Sequence, residues 1–461
     1  MTRVAILGAG GLVFPLRLIA DLLAFPALHG LEVSLMDIEL DRAERTARAA
    51  RELAEHHGVP ASFTPTTDRR AALAGADWVI VTFQVGGVEA YGHDVNIPRK
   101  YGLDQPVGDT LGPGGVFRFL RTAPALARIA ADLREVAPRA TVLNYANPMA
   151  MNCWLLDRLG TPVAGLCHSV QGTSRMLARA IGVPYEEVTF RTAGINHQAW
   201  FLEFRRGQQD LLPRLREAMR EQHLPKRDLN GLALDADHSA ADRADSVYEG
   251  GFERVRTEIM DAFGYFHTES SHHASEYTPW FRKDEARILD FIPRRWDYYR
   301  GCVRDASDPV QKTVETLARL KADPTPSLEY GARIINAWAA NEPVVVHANV
   351  PNRGLIANLP EGCCVEVPCL VDANGVQPTA VGKLPPQLAA VNRSNVNVQE
   401  LAVEAAVTGD LEHALHAIAL DPLTGALLTL DEIKRMTAEL IEAHQPFLAE
   451  LPIVREVAAG A

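Results

Sequence analysis

The first part of the chain alternates short apolar runs with longer stretches in which apolar residues recur at helical spacing. The runs predict buried strands at residues 3–8, 31–36, 78–83, 141–144 and 163–167. Strands that alternate with helices in this way form a parallel sheet with helices on both faces. The pattern therefore predicts an α/β fold, a Rossmann-like doubly wound parallel sheet.

The rhythm changes after about residue 190. Strand-like runs at 187–193 and 199–204 are followed by a polar, charged stretch at 206–247. We expect that stretch to be a surface excursion that is partly mobile. Mixed helical and strand patterns then continue to the end of the chain, so a second, α+β domain is expected at residues 191–461.

A glycine-rich turn follows the first predicted strand and precedes a helical pattern. Gly8 permits a tight turn, and Gly10 allows the backbone to approach a pyrophosphate at the helix N-terminus. Gly11 lies beside them, but Val13 occupies the third glycine position of the dinucleotide fingerprint, so an ordinary strand–helix turn is the alternative. Asp37 ends the next strand, where an acid can accept a hydrogen bond from a ribose 2′-hydroxyl, which favours NAD over NADP.

Composition and charge narrow the class of protein. With 461 residues, 47% of them hydrophobic, the chain can bury a large core divided between two domains. A net charge of −12 without a long like-charge block argues against nucleic acid or a polybasic membrane surface as a partner. No apolar stretch reaches about 18–20 residues and the chain begins directly in a strand, so we expect a cytoplasmic enzyme whose partners are small molecules or copies of itself.

Two residues in the second half of the predicted sheet suit a metal. Six cysteines follow no zinc-finger or secreted-framework spacing. Cys167 ends an apolar run, and His197 follows the 187–193 run in Gly-Ile-Asn-His. A thiolate and a neutral imidazole that leave coordination positions open suit a catalytic divalent metal better than a closed structural zinc site. A metal beside a nicotinamide implies chemistry on a carbonyl or alkoxide.

Polar residues follow several predicted strand ends, where ligands bind in doubly wound sheets. Gln84 follows one such end, and Asn147, in an Asn-Pro pair, follows another. The Asn147 amide can donate to and accept from a substrate diol, or it can form an Asx turn that caps the next helix. His168 directly follows Cys167, so it is either a general acid for a leaving-group oxygen or a residue that only holds the metal ligand by a hydrogen bond.

Two further segments are candidates for the walls of a site. A glycine-rich loop, 108–115, contains Asp109 and precedes a helix with two arginines. It either cradles a substrate or closes the cofactor site, or it is a plain loop before a helix. The run 265–277 is dense in titratable groups between aromatics, which is typical of an active-site wall. A structural zinc site there is disfavoured, because His272 and His273 would point apart on a strand.

Several fragments together resemble the NAD- and manganese-dependent glycosidases of glycoside hydrolase family 4, and among these most resemble the bacterial melibiases, which are α-galactosidases. The resemblance covers nearly the whole chain. Its fragments are DTLGPGG at 109–115, LNYANPMAMN at 143–152, LCHSVQGT at 166–173, AGINH at 193–197, TESS at 268–271, GCCVEV at 362–367 and LVDANG at 370–375.

The resemblance implies roles for residues of this chain. Family members with phosphorylated substrates typically carry Asp or Asn after the metal cysteine, whereas His168 resembles the branch that acts on unphosphorylated sugars. It implies NAD and Mn²⁺ or another divalent metal as cofactors, and a homodimer or homotetramer. The expected cofactor-binding residues are Gly8, Gly10, Gly11, Asp37 and Gln84, the substrate-binding residues are Asn147 and Asp109, and the metal ligands are Cys167 and His197.

The resemblance also implies a mechanism in which NAD oxidises sugar C3, the C2 proton is removed, the C1 substituent is eliminated, and water and hydride are added back. Two-carboxylate glycosidases work differently. The acid expected here is His168. Members use a tyrosine or an aspartate as the C2 base; this chain offers His273, which we favour, and then Glu269.

Other functions remain open at this point. A 2-hydroxy-acid dehydrogenase would share the glycine turn and the Asn-Pro strand end, but such an enzyme needs no metal cysteine. A non-catalytic NAD-binding sensor would not need Cys167, His197, Asn147 and His168 together. Within the resemblance, an α-glucuronidase, galacturonidase or α-glucosidase is the alternative to an α-galactosidase. Residues 1–190 are expected to bind NAD, and residues 191–461 to supply the substrate, metal and oligomerisation functions.

Overall fold

The computed structural model describes residues 1–223, 253–292 and 298–461. Most of the stretch predicted as a mobile surface excursion, 206–247, lies outside these residues. Its described beginning contains a short strand, Gln209–Asp210, and a helix, Leu212–His223.

Twelve strands within the described residues form one continuous sheet in the order β3-β2-β1-β4-β5-β6-β10-β11-β7-β8-β9, with β12 paired to β11. The strands are β1 Arg3–Leu7, β2 Leu31–Met36, β3 Ala61–Thr66, β4 Trp78–Val81, β5 Thr141–Asn144, β6 Val163–Gly165, β7 Val188–Ile195, β8 Gln198–Arg206, β9 Gln209–Asp210, β10 Val344–Pro351, β11 Cys364–Asp372 and β12 Gly375–Pro378.

Helices connect the strands and cover the sheet. They are α1 Pro15–Leu23, α2 Leu40–His57, α3 Arg69–Leu73, α4 Gly87–Lys100, α5 Gly112–Val136, α6 Met149–Arg158, α7 Ser169–Ala180, α8 Leu212–His223, α9 Arg254–Phe263, α10 Ser271–Glu276, α11 Glu285–Phe291, α12 Tyr298–Ser307, α13 Pro309–Ala322, α14 Gly331–Ala340, α15 Pro386–Thr408, α16 Glu412–Leu420, α17 Pro422–Leu427, α18 Leu430–Leu448 and α19 Pro452–Ala459. Short 3₁₀ turns occupy Pro26–Leu28 and Tyr185–Glu187.

Local sequence accounts for several helix ends. Helix α2 ends at Gly58, which has a φ of 67° and so takes the left-handed conformation that glycine adopts without a steric penalty. Helix α18 begins with a capping box in which the Thr429 side chain accepts from the Glu432 amide, and the Glu432 carboxylate accepts from the Thr429 amide.

Among the described helices, none combines the length and the apolar character that a membrane span requires.

The first six strands in the sheet order, β3 to β6, are all parallel, which confirms the predicted doubly wound fold. Strand β1 pairs with both β2 and β4. All residues of β4 are buried, as expected for a strand covered by helices on both faces. The chain therefore leaves β1 and β4 side by side and in the same direction, which places a cleft beyond their carboxyl ends.

The remaining strands are antiparallel and extend the same sheet. Strand β10 pairs with β6 through Asn349 and Gly165, and β11 pairs with β7 through Glu366 and Gly194. The main hydrophobic core runs under both halves, and two smaller clusters pack beside β7 and β8. This arrangement brings the segment after β6 and the turn after β7 to the same region of the molecule.

The segment that contains His272 and His273 is a helix, α10, so the prediction that these residues lie on a strand was wrong. The Ser270 side chain accepts from the His273 amide and caps the helix. Neighbouring residues of a helix diverge by about 100°, so the two imidazoles still point in different directions.

Candidate active site

A cavity of ≈860 Å³ lies beyond the carboxyl ends of β1 and β4. The cavity is lined by every residue that the sequence predicted to bind the cofactor and by the two predicted to bind the substrate. These residues are Gly8, Gly10, Gly11, Asp37, Gln84, Asn147 and Asp109. The structure thus brings together in one cleft the residues predicted to bind the dinucleotide and the sugar.

The turn after β1 requires glycine at two positions. Gly8 has a φ of 86°, and a Cβ added there would lie 2.6 Å from Cβ of Phe83. A Cβ on Gly10 would lie 2.4 Å from Cβ of Arg42. At Gly11 the nearest atom to an added Cβ is the Gly8 carbonyl oxygen, at 3.2 Å, so this position is less restricted. The fingerprint therefore lacks its third glycine but keeps the two that the backbone geometry demands.

Asp37 is oriented by the same turn. Its carboxylate oxygen Oδ2 accepts a hydrogen bond of 2.8 Å from the Gly10 amide, and Oδ1 accepts from the Glu39 amide at 3.3 Å. The side chain lies on the cavity wall next to Gly10. This places an acidic acceptor at the end of β2, where the sequence predicted one for a ribose hydroxyl.

Asn147 and Asp109 form a pair at the other side of the cavity. The Asn147 amide Nδ2 donates to Asp109 Oδ2 at 3.0 Å. Helix α6 has no side-chain cap, so the alternative in which Asn147 caps that helix is wrong. Within the described residues Asp109 Oδ1 is buried without a hydrogen-bond partner. The pair presents both donors and acceptors beside the cofactor cleft.

Two buried arginines of α5 contact the loop after β4, and one of them, Arg118, also contacts Asn147. Arg118 donates to Gln84 Oε1 at 2.9 Å and to the Asn147 carbonyl oxygen at 3.3 Å. Arg121 forms a double hydrogen bond with Asp94, at 2.7 and 2.6 Å, and its Nε donates to the Val85 carbonyl oxygen at 2.8 Å. Both arginines therefore fix the loop after β4, whereas the sequence had placed them only on a helix that follows the glycine-rich loop.

The glycine-rich loop at 108–115 is tied to helix α10. The Glu276 carboxylate accepts hydrogen bonds of 3.0 Å from the amides of both Val107 and Gly108. Burial raises the pKa of Glu276, while these amides and Arg282 act to lower it. The loop is thus anchored to α10, and one of its residues, Asp109, lines the cavity.

Three potential metal donors converge behind this wall. The ligand atoms of Cys167, His197 and Glu269 all lie within 4.8 Å of one another, and the three side chains are buried. Cys167 comes from the segment after β6, His197 from the turn between β7 and β8, and Glu269 from the segment before α10. The structure places Glu269, which the sequence nominated as a second choice of base, in this donor cluster.

The backbone at two of these donors is unusual. His197 has a φ of 64° and Glu269 a φ of 72°, both in the left-handed region. Among the described non-glycine residues, Asn341 at the end of α14 is the remaining example. Residues held in this region cost free energy and tend to cluster at functional sites.

The charge states of the donors fit a divalent metal. Burial lowers the pKa of His197 to about 3, so its imidazole is neutral at pH 7 and can offer a lone pair. Burial raises the pKa of the Cys167 thiol, and the nearby carboxylates of Glu269 and Glu366 add to this effect. A cation is therefore needed to ionise this thiol, and metal binding would release its proton.

His197 is held by a hydrogen bond from the wall of the site. Its Nδ1 lies 3.1 Å from the Tyr277 hydroxyl, and burial raises the pKa of Tyr277, which therefore stays protonated. The Tyr277 hydroxyl also contacts the Thr110 side chain, next to Asp109. A partner on one imidazole nitrogen fixes the orientation of the other, as is usual for metal-binding histidines.

His168 is partly exposed beside the cluster and pairs with Glu329. Its Nδ1 lies 2.9 Å from Glu329 Oε1. Burial acts to lower the pKa of His168, but the Glu329 carboxylate outweighs this effect and raises the pKa to about 9. The adjacent Tyr330 accepts from the Cys167 amide at 3.2 Å and contacts the Cys167 carbonyl oxygen at the same distance. Two consecutive residues therefore hold the imidazole of the acid candidate and the backbone of Cys167.

His273, the favoured base candidate, also faces the cluster. Its ring centroid lies 4.7 Å from that of His197, and its Nδ1 lies 3.3 Å from Glu269 Oε1 and 3.1 Å from Ser270 Oγ. The structure thus gathers the residues predicted as acid, base and metal ligands into one region that adjoins the sugar-binding pair, and in this region His168 is partly exposed.

Comparison with known sequences identifies the family. The model for family 4 glycosyl hydrolases matches residues 3–183, and the model for the C-terminal domain of these enzymes matches residues 192–424. The chain belongs to glycosyl hydrolase family 4. Family membership confirms the resemblance seen in the sequence fragments.

Relatives with described activities span the whole chain. An α-galactosidase of Bacillus subtilis is 37% identical over 98% of this chain and 100% of its own length. An α-galactosidase of Rhizobium meliloti is 35% identical over 97% of this chain and 89% of its own. An α-galacturonidase of Thermoanaerobacterium saccharolyticum is 29% identical over 96% of both chains.

Solved structures of this family share the fold. The lplD protein of Bacillus subtilis superposes with a TM-score of 0.83 at 25% identity, covering 95% of this chain and 99% of that one. A 6-phospho-α-glucosidase from gut microorganisms, solved in complex with NAD and Mn²⁺, gives a TM-score of 0.76 at 21% identity, covering 97% and 98%.

The sequence did not reveal Glu329 and Tyr330 of this family 4 chain. They lie 161 and 163 positions beyond the residues they hold, His168 and Cys167, and belong to none of the fragments that carry the resemblance. The signal in the sequence was a carboxylate and a phenol in adjacent positions just before an apolar helix. The neighbouring sequence did not indicate that this pair contacts the segment after β6.

Proposed function

We propose that this protein is an α-galactosidase that hydrolyses unphosphorylated α-galactosides and requires NAD and a divalent metal, Mn²⁺ in the first instance. The observation that carries the proposal is the donor cluster of Cys167, His197 and Glu269 beside a dinucleotide cleft. A glycosidase that relied on two carboxylates would need neither feature. The α-galactosidases among the relatives support the sugar, and the 6-phospho-α-glucosidase structure with NAD and Mn²⁺ supports the cofactors.

The three donors would hold the metal, and the residues around the glycine turn would hold NAD. When bound, NAD takes up and returns a hydride at sugar C3, and the metal stabilises negative charge on the neighbouring sugar oxygens. The Asn147 and Asp109 pair would bind sugar hydroxyls, since it offers an amide and a carboxylate next to the cleft.

Two histidines would move the protons of the elimination. We assign the C2 base to His273, because Glu269 lies among the metal donors. His273 would take the proton from C2, the electron pair of the C2–H bond would form the C1–C2 double bond, and the C1–O bond would break. His168 would give its proton to the departing oxygen; pairing with Glu329 keeps it protonated at neutral pH. Water then adds to C1 and a proton returns to C2.

The test is a panel of p-nitrophenyl α- and β-galactosides, glucosides, galacturonides and glucuronides, with NAD, Mn²⁺ and a thiol present. We expect the α-galactoside to have the highest kcat/KM, and melibiose to be cleaved without net formation of NADH. Preference for a 6-phosphorylated sugar or for a uronide would contradict the proposed substrate, and net NADH production would favour a dehydrogenase. Cytoplasmic location and a homodimer or homotetramer stay predictions.

A further inference from the structure

Glu269 needs support from its surroundings to remain in the donor cluster. Its φ of 72° lies in the left-handed region, which a side chain with a Cβ disfavours. A residue of this kind persists only where neighbouring contacts hold it, because the backbone would otherwise relax to negative φ and redirect the side chain. The contacts of residues 267–271 therefore decide whether the carboxylate stays near Cys167 and His197.

The backbone of Glu269 is held by a side chain of helix α7. The Thr173 hydroxyl donates to the Glu269 carbonyl oxygen at 3.3 Å. Arg256 in turn donates from Nη1 to the Thr173 hydroxyl oxygen at 3.0 Å and to the His267 carbonyl oxygen at 3.3 Å. One guanidinium nitrogen thus contacts the segment before Glu269 and also the threonine that holds Glu269 itself.

The other side of the segment is fixed through Glu253. Its Oε2 accepts from Arg256 Nε at 2.6 Å and from the Ser271 hydroxyl at 3.0 Å. Arg256 and Thr173 are fully buried, and Glu253 and Ser271 nearly so. A charge pair sealed from water and completed by hydrogen bonds defines one geometry, since loss of any partner leaves a buried polar group unsatisfied.

We propose that Thr173 and Arg256 are positioning residues that hold Glu269 in the metal-binding cluster. The inference rests on the proposed function, because it takes the cluster to be a Mn²⁺ site. It also gives a role to the last residue of the LCHSVQGT fragment: Thr173 lies six positions after Cys167, so one segment supplies a donor at its start and steadies another donor at its end.

The test replaces Thr173 with valine in the full chain. Thr173→Val keeps the side-chain shape and removes the hydroxyl that Glu269 accepts from. Thr257→Val is the matched control, since Thr257 is also fully buried and its hydroxyl has no hydrogen-bond partner among the described residues. Mn²⁺ affinity is measured from the EPR signal of free Mn²⁺, NAD affinity by fluorescence titration, and the melting temperature separately.

We expect Thr173→Val to weaken Mn²⁺ binding about 10-fold, the lower end of what loss of a residue behind a metal ligand costs. NAD affinity should stay unchanged, Thr257→Val should bind Mn²⁺ as the wild type does, and Thr173→Ser should restore affinity. Unchanged Mn²⁺ affinity in Thr173→Val, or an equal loss in Thr257→Val, would overturn the inference.

A second variant covers failure to fold. Ser271→Ala removes one hydrogen bond to Glu253 and leaves Arg256 paired, and we expect it to weaken Mn²⁺ binding severalfold with unchanged NAD affinity; wild-type Mn²⁺ affinity in this variant would count against the inference. A wild-type protein that binds no Mn²⁺ would overturn the proposed function itself. A wild type that binds Mn²⁺ and variants that do the same would overturn only the positioning role.

Discussion

The cleft around the glycine turn and the donor cluster of Cys167, His197 and Glu269 lie side by side but are built in different ways. Much of the cleft wall comes from two short stretches of chain, 7–15 and 82–87, that directly follow β1 and β4. The metal cluster takes its three donors from positions 167, 197 and 269, and the residues that hold these donors come from positions as distant as Thr110 and Tyr330.

The two regions differ in the backbone conformations that they require. The cleft requires glycine where a Cβ would collide with a neighbour, and the local sequence has glycine there. The cluster places His197 and Glu269 in the left-handed region without glycine and surrounds them with buried hydrogen bonds. Changes at the glycine turn should therefore act on NAD alone, and changes in the donor cluster on the metal and the chemistry.

The largest expected effect is that of Cys167→Ser. A neutral hydroxyl is a poor replacement for a metal-bound thiolate, so activity should fall on the order of a thousand-fold, corresponding to several kcal/mol of lost charge stabilisation. NAD affinity should not change. The measurements are kcat/KM on the aryl α-galactoside and NAD titration, with Cys363→Ser, a buried thiol outside both the donor cluster and the cleft, as the control. Wild-type turnover by Cys167→Ser would show that this thiol does not hold the metal.

His273→Ala should separate proton removal from hydride transfer. During turnover in D₂O, the wild type should place deuterium at sugar C2, and the variant should lower that exchange on the order of a hundred-fold. Transient reduction of bound NAD, followed by absorbance in a single turnover, should remain. If C2 exchange is unaffected by His273→Ala, the base is another residue, and Glu269→Gln is the next variant to test.

The sequence was sufficient for the cleft because its determinants are local. A buried strand, a glycine turn and a helix in succession predicted β1, Gly8 and Gly10, and the end of the next strand predicted Asp37; the three residues line the cleft. The parallel order of the sheet followed from the alternation of strands and helices. The antiparallel part of the sheet could not be predicted in this way. Strands β10 and β11 pair with β6 and β7, which are far from them in sequence, and hydrophobic periodicity carries no information about such pairs.

The donor cluster could be predicted from the sequence only in part. Residue type and position after strand-like runs predicted Cys167 and His197 as metal ligands, but Glu269 was predicted as a base. Its place among the donors depends on a left-handed backbone conformation that composition does not signal for a glutamate. His272 and His273 were expected on a strand, and the capped helix there shows that a serine before a polar run was the better signal.

The Glu366 carboxyl, near the donor cluster, shows how strongly burial acts on a charge in that region. This fully buried residue has an oxygen, Oε2, without a hydrogen-bond partner in the described part of the chain, and burial raises its pKa from 4.5 to about 8. Its carboxyl is therefore easier to protonate in the folded state than in the unfolded state. The free energy of unfolding should fall as pH rises from 4.5 to about 8, and is least affected below 4.5.

Glu366→Gln removes this titration. We expect the metal-free variant to be more stable than the wild type at pH 8 and equally stable near pH 4, since only the ionised carboxylate is penalised. Urea unfolding at several pH values measures the difference. Glu361→Gln, an exposed carboxylate just before β11, is the control and should show no such pH dependence. An equal stability gap at all pH values would mean that Glu366 does not titrate on unfolding.

The smallest effect is expected in the cleft. An alanine at position 10 would bring its Cβ within 2.4 Å of Cβ of Arg42 and 2.8 Å of Asp37 Oδ2, so the turn must shift. Overpacking of this kind costs about 1–3 kcal/mol, and we expect Gly10→Ala to weaken NAD binding about 10-fold with unchanged Mn²⁺ affinity. Gly11→Ala meets its nearest atom at 3.2 Å and should change NAD affinity less. Equal losses in both variants would mean that the turn tolerates no side chain at either place.

The left-handed conformations of His197 and Glu269 have a consequence for laboratory evolution of this enzyme. Glycine adopts that conformation without the cost of about 1–2 kcal/mol that other residues bear. A selection that rewards only resistance to heat does not test metal binding, so it accepts any substitution at His197 or Glu269 that relieves this strain and refills the space of the side chain, and each such clone would have lost a candidate metal donor. Libraries meant to yield hardier catalysts should keep these two codons fixed, or be screened for turnover from the first round.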